Sequence, residues 1–346
     1  MHRFPRYDCA IEVHPYFNAS CFVWLDEWIK VATDSGQWVI LVLRSKYGAG
    51  NDPLAPGESV FHNQTLEAQL LTVWRLLGAR YRSFDGIAGY EVLAEPREKN
   101  LPAAQVTEFY EKACAAAQSA DPRTPCVVGT APYYKLWTVS EAMLLMQNQN
   151  VIYTFDYFVP EKYRTSSTVP ARAFSPRSTR LFSYHCGRFV KGRSSMPDYD
   201  LPYTCDALYA PGPINGSWAS EVCPALWDIN SPFTEEAVLN YEFHRRNLQH
   251  YLAPLFAQHV PIFINQWMVV QGRTKAEGRY NYIEDLMKVA SDHNVGHIWW
   301  NLASSGFTKG SSGIIAHKAD GENVIDEPLV EALEPWLDGT LGGNGV

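Results

Sequence analysis

The feature that most restricts this chain is an alternation, sustained from about residue 22 onward, between segments of helical hydrophobic spacing and short apolar runs suited to buried strands. Parallel α/β folds have this pattern because a strand covered on both faces is apolar throughout, while each covering helix is apolar along one stripe. Residues 22–35 place Trp24, Leu25, Trp28, Ile29 and Ala32 on one helical face, Gly36 ends the segment, and 37–43 (QWVILVL) reads as a strand. The same spacing predicts that Trp24, Trp28 and, in the next helix (66–81), Trp74 lie in the core. Strand 86–93 (GIAGYEVL), helix 103–119, strand 126–129, helix 138–147 and strand 151–155 (VIYTF) follow. Residues 161–232 break the rhythm with Pro, Ser, Arg and Tyr and no sustained period, which predicts a long insertion of the kind that carries function or disorder. Helix 234–257, strand 261–265 (PIFIN), helix 280–292, strand 296–300 (GHIWW) and a helix near 327–337 complete the pattern.

A chain of 346 residues that is 46% hydrophobic suits one large domain over 1–346, since single α/β barrels run to roughly 250 residues plus insertions. No Pro/Gly/Ser-rich linker divides it. The net charge of -8, with Lys and Arg scattered, argues against a nucleic-acid partner. No apolar run reaches the roughly 20 residues of a membrane span. An aromatic share of 13%, with 11 Trp and 19 Tyr, suits stacking on the faces of neutral sugars.

The 7 cysteines include no CxxC pair, so neither a disulfide scaffold nor a zinc site is indicated. Cys186, Cys205 and Cys223 fall in the irregular stretch, where one bridge would leave an odd thiol; the other four are read as buried thiols. His14, His62 and His185 stand apart with no HxxH or HExxH spacing, so no metal or other cofactor is expected. Sequons begin at Asn18, Asn63 and Asn215 and would be acceptors in a secreted protein; compartment and oligomeric state stay open.

In a parallel barrel the reacting side chains stand at the C-terminal ends of strands. Those positions are Ala94-Glu95-Pro96, Asp156-Tyr157-Phe158, Asn265-Gln266-Trp267 and Trp300-Asn301. In order and spacing, GYEVLAEP, YTFDYFVP, VPIFINQW and GHIWWNL resemble glycoside hydrolase family 5, the cellulases, with the likeness running from Arg3 to about Trp336. The segments VWRLLGARYRSFDGIAGYEVL and RYNYIEDLMKVASDHNVGHIWW carry the same resemblance.

The resemblance implies a (β/α)8 TIM barrel and hydrolysis of O-glycosidic bonds in β-linked glycans or glycoconjugates by two carboxyl groups roughly 5 to 5.5 Å apart. Glu95 matches the acid/base. Gln266 stands at the nucleophile, and a neutral amide does not form the glycosyl ester. Ala94 replaces an Asn, Arg44 a His, and Asp156 with Phe158 a His-x-Tyr, while Trp300 keeps the aromatic floor of the sugar site. Arg3, in Arg3-Phe4-Pro5, resembles the end of the family's second strand. That alignment sets Met1 inside the second strand, so the expected barrel lacks its first βα unit and part of the second strand, with the insertion after the sixth.

These matches lead us to expect Glu95 and Gln266 across one barrel mouth above Trp300, and Asp156 balanced by Arg44. An alternative gives Asp156 the role of base in an inverting reaction, with carboxyls ~6.5 to 9.5 Å apart. Two functional readings follow: a family-5 hydrolase whose activity is lost or impaired at Gln266, and a pseudoenzyme that binds oligosaccharide or glycoconjugate without cleaving it.

Overall fold

The computed structural model describes residues 19–44, 59–98, 101–142, 145–147, 150–158, 223–224, 236–237, 241–269, 276–304, 312–317 and 321–336. The chain divides into two compact units, Met1–Thr154 and Phe155–Val346.

The first unit alternates helices and strands: α1 (Ala19–Asp34), β1 (Val39–Val42), α2 (Gln64–Tyr81), β2 (Ile87–Glu91), α3 (Ala103–Gln118), β3 (Cys126–Gly129), α4 (Leu136–Ala142) and β4 (Val151–Tyr157). The strands pair in parallel in the order β1-β2-β3-β4, with Ile40 opposite Gly89, Tyr90 opposite Cys126 and Val127 opposite Ile152. β3 is buried at every position, as a strand covered on both faces must be.

α2 begins where the Asn63 side chain accepts from the N–H groups of Thr65 and Leu66, satisfying two donors that the first turn leaves open. It buries Leu70, Val73, Trp74, Leu77, Gly78 and Tyr81 along one stripe. The Trp74 indole donates to the Val92 carbonyl at 2.9 Å and ties the helix to the end of β2. α2 meets α3 at Gly78, where an added Cβ would run into the carbonyl oxygen of Ala117; only glycine allows this approach.

Two expectations are corrected in this unit. Trp28 is 43% exposed, although Trp74 is fully buried as its spacing predicts. The buried edge of α1 is set by Ile29, one residue and therefore about 100° around the helix from Trp28, whose ring lies against that of Trp24 instead. Cys114 and Cys126, read as buried thiols, are joined in a disulfide that links the end of α3 to the first residue of β3. Their Cα atoms lie 5.7 Å apart, within the range a bridge spans.

The second unit opens inside β4, which is followed in the hydrogen-bonding order by β5 (Ile262–Trp267) and β6 (Gly296–Trp299). β5 and β6 are parallel, with Ile264 opposite His297 and Trp267 opposite Trp299, and the register shifts between these two pairs. Around them stand α5 (Tyr241–Tyr251), α6 (Ala253–Phe256), α7 (Ala276–Asp292) and α8 (Glu327–Leu333). The helix predicted over 234–257 is split, because Pro254 has no N–H to continue the ladder and its ring crowds the preceding turn.

β7 (Ala303–Ser304), β8 (Ile315–His317) and β9 (Asn323–Ile325) form a small sheet centred on β8. Arg279 of α7 donates to Asp326, just before α8, at 2.9 Å and to the Val269 carbonyl at 3.2 Å; both members of the ion pair are buried. The insertion predicted over 161–232 lies outside the described residues except for Cys223–Pro224, which pairs antiparallel with Glu236–Ala237. Parallel strands alternating with helices are the α/β class expected from the sequence.

Candidate active site

In the first unit, backbone bonds set the positions of the polar side chains beyond β1 and β2. The Leu43 N–H donates to the Glu91 carbonyl and the Ala94 N–H to the Leu43 carbonyl, each at 3.0 Å. This rung carries the chain past the strand ends and brings residues 44 and 95 alongside each other. Arg44 Nη2 donates to Glu95 Oε2 at 2.9 Å, with the arginine side chain 51% exposed and the glutamate 17%.

Arg44, expected to balance Asp156, thus goes to Glu95, because the rung beside it leaves the glutamate within reach of its guanidinium. Glu95 has φ +45°, in the left-handed region that non-glycine residues occupy at a cost and that recurs at functional sites. Ala94 is buried and presents only a methyl group.

Sequence reasoning passed over Glu91, which is fully buried at the end of β2. Its signal was available: a carboxylate inside an otherwise apolar strand run is not there for packing. Beyond Pro96, Arg97 is also buried, and burial pushes the carboxyl of Glu98 above its ordinary range.

In the second unit, Asp156 is 6% exposed, between the fully buried Phe155 and Tyr157, and Phe158 is half-buried. The Tyr157 hydroxyl shares a 2.7 Å hydrogen bond with Nδ1 of His244, on the buried face of α5. Burial lowers the His244 pKa to about 3, so the imidazole is neutral at physiological pH, and burial also holds the Tyr157 phenol well above its usual value. This pair was missed as well. A histidine on the apolar stripe of a helix, with Phe243 and Leu248, is the only trace it leaves in the sequence.

Gln266 lies half-buried on β5 beside Trp267, which is fully buried. The Trp267 ring meets Trp299 edge-on, with centroids 4.7 Å apart and planes at 87°, and packs on His297 at 5.8 Å. The Trp299 indole donates to the Ser312 carbonyl at 2.8 Å, and the Trp300 N–H to the Trp267 carbonyl at 2.9 Å. The Trp300–Asn301 peptide is cis, and the Trp300 side chain is 40% exposed. The ends of β5 and β6 thus join an amide, a packed aromatic wall and one indole open to solvent.

The structure accordingly brings together Arg44, Ala94 and Glu95 in one unit, and Gln266 and Trp300 in the other. Arg3 lies outside the described residues. Among the described residues, no three His, Cys, Asp or Glu side chains gather as a metal ion requires, and no helix is long and apolar enough to cross a membrane.

The sequence pattern of the cellulases, glycosyl hydrolase family 5, matches residues 9–193, more than half of the chain. The protein belongs to glycosyl hydrolase family 5. Family membership makes it a glycosyl hydrolase by descent, with an oligosaccharide as the class of ligand. No curated protein sequence matches it.

Solved structures do. The clostridial cellulose synthase subunit Z of Clostridioides difficile superposes with a TM-score of 0.58 at 16% identity, over 92% of this chain and 81% of that one. A hyperthermophilic endo-β-1,4-glucanase, solved in complex with substrate, gives 0.59 at 15% identity over 93% and 81%. The endoglucanase of Thermotoga maritima gives 0.57 at 16% identity over 96% and 81%. At such identities the likeness establishes the fold, the family-5 α/β barrel type expected from the sequence.

Proposed function

We propose that this family-5 protein recognises β-linked glucan chains and that the double displacement of its relatives is disabled at position 266. The observation that carries the reading is Gln266, half-buried on β5 next to the aromatic strand ends. In the retaining reaction a carboxylate attacks the anomeric carbon while the acid gives its proton to the departing oxygen, and water then cleaves the glycosyl ester. An amide at the attacking position forms no such ester, so the first displacement does not proceed. Trp300, open to solvent, offers a face for a sugar ring, and the aromatic packing behind it does not depend on the missing charge. Glu95 keeps the place of the acid/base. The β-1,4-glucan ligand class is taken from the endoglucanases whose fold the chain shares.

Calorimetric titration with cellotetraose, alongside a reducing-sugar assay on the same oligosaccharide, tests the reading. Binding without release of reducing ends is expected. Gln266→Glu should then cleave 2,4-dinitrophenyl β-cellobioside, whose phenolate departs without a proton. Release of reducing sugar by the unaltered protein at rates typical of enzymes, roughly 1 per second or faster, would replace this reading with that of a working hydrolase.

A further inference from the structure

Resting on the glycan recognition read above, we propose that Lys135, held by Tyr133 and Trp137 on the loop after β3, is an anion anchor beside the Glu95 segment, and that the glycan taken there carries carboxylates on its sugar rings. All the residues concerned belong to the first unit. Residues 130–135 lead from β3 into α4 and are fastened to the chain on both sides of Glu95. The Tyr133 N–H donates to the Pro96 carbonyl at 2.7 Å, and the Tyr134 hydroxyl to the Leu93 carbonyl at 2.5 Å. A Cβ added at Gly129 would strike the Tyr134 ring, so glycine at the end of β3 is what lets that ring tuck in. Tyr133 and Tyr134 take left-handed backbone, φ +58° and +52°, as Glu95 does. Bulky residues stay in that region where their surroundings over-determine them, a condition that clusters at ligand sites. Tyr134 is the buried peg of the loop, while Tyr133, Lys135 and Trp137 are half-buried.

On this fixed support Lys135 Nζ stands 5.0 Å from the centroid of the Trp137 ring and 5.7 Å from that of Tyr133. The negative faces of two rings attract an ammonium and fix its place, but they carry no net charge to neutralise it. Other lysines among the described residues have carboxylate partners: Lys30 pairs with Asp34, Lys112 with Glu67 and Glu108, and Lys288 with Asp292. Lys135 has none among the described residues, in a chain with 37 Asp and Glu against 29 Lys and Arg. A positioned, uncompensated cation is thereby presented next to whatever lies along Glu95. A neutral glucan offers it hydroxyl groups. A ring carboxylate offers a charge-assisted hydrogen bond, roughly twice as strong as one between neutral groups.

Calorimetric titration of the full chain at about pH 7, where carboxylic acids of ordinary pKa are ionised, compares cellotetraose with the tetramer of β-1,4-linked glucuronic acid, alike in length and linkage. The acidic tetramer should bind roughly tenfold more tightly, although the net charge of -8 repels it at long range. Lys135→Met keeps an unbranched apolar stem against the rings and should bring the ratio of the two affinities to about one or below. Lys135→Arg keeps a cation and should retain most of the preference. Unfolding midpoints establish that each variant is folded, and Lys135→Gln is a second neutral replacement. A parent that binds cellotetraose without preferring the acidic tetramer, or a folded Met or Gln variant that keeps the preference, overturns the role of Lys135 and leaves glucan recognition standing. If neither tetramer binds, both fall together.

Discussion

Two hydrogen-bonded polar pairs stand near strand ends, one in each unit, and they are built on opposite principles. Arg44 and Glu95 are charged, and the arginine is half in solvent. Tyr157 and His244 are neutral and completely enclosed. A partly solvated ion pair contributes between nothing and about 1 kcal/mol to stability, because water competes for both charges. A buried neutral pair contributes little net either, but breaking it leaves an enclosed group without a partner, at a cost of about 1 to 3 kcal/mol. The first kind can be exchanged during evolution without endangering the fold, and the second cannot.

The contrast can be broken most decisively at His244. Replacing it with Ala removes a packed ring and strands the Tyr157 hydroxyl, and should cost on the order of 3 kcal/mol in urea unfolding. The loss should also depend on pH. With a folded pKa of about 3 against an ordinary value near 6.5, the unfolded state binds the extra proton between these limits. The stability gained from a neutral His244 is therefore complete above about pH 6.5 and disappears as the pH falls toward 3. Measured across that window, the gap between the parent and His244→Ala should narrow with acidification; a constant gap would show that His244 is not held neutral by burial.

Trp300→Ala is the intermediate case. It should weaken cellotetraose binding roughly tenfold, about 1.4 kcal/mol, with the unfolding midpoint unchanged, since the indole is 40% exposed. Arg44→Met gives the smallest effect. Stability should change by less than about 1 kcal/mol, and the sensitivity of the parent to added salt should diminish. A loss of several kcal/mol here would erase the distinction between the two pairs.

Much of the frame could be read from periodicity. The run 126–129 is β3 to the residue, and α2 and α3 lie within two residues of their predicted spans. Boundaries shifted where chemistry other than periodicity decides. β2 stops at Glu91, since the chain then turns through Ala94 to the left-handed Glu95. A single helix over 234–257 ignored what Pro254 does to the turn before it. Trp28 failed because a helical stripe has a centre and an edge, and a count of apolar residues does not say which residue stands on which.

Glu95 and Gln266 were expected as site residues because each follows an apolar run. What they touch could not be found that way. Arg44 and Glu95 are 51 residues apart in sequence and meet beside the backbone bond from Ala94 to Leu43, and the Tyr157–His244 bond joins residues 87 apart. Composition and spacing carry no information about such pairings.

The Ala94-to-Leu43 rung has a practical corollary for engineering. It is made by main-chain atoms alone, so whatever amino acid is written at position 44 is delivered to the same place beside the glutamate. That makes the position a tuning slot: cation, neutral acceptor or plain hydrocarbon can be inserted in turn, and the polar surroundings of one carboxyl group graded without rebuilding the scaffold around it.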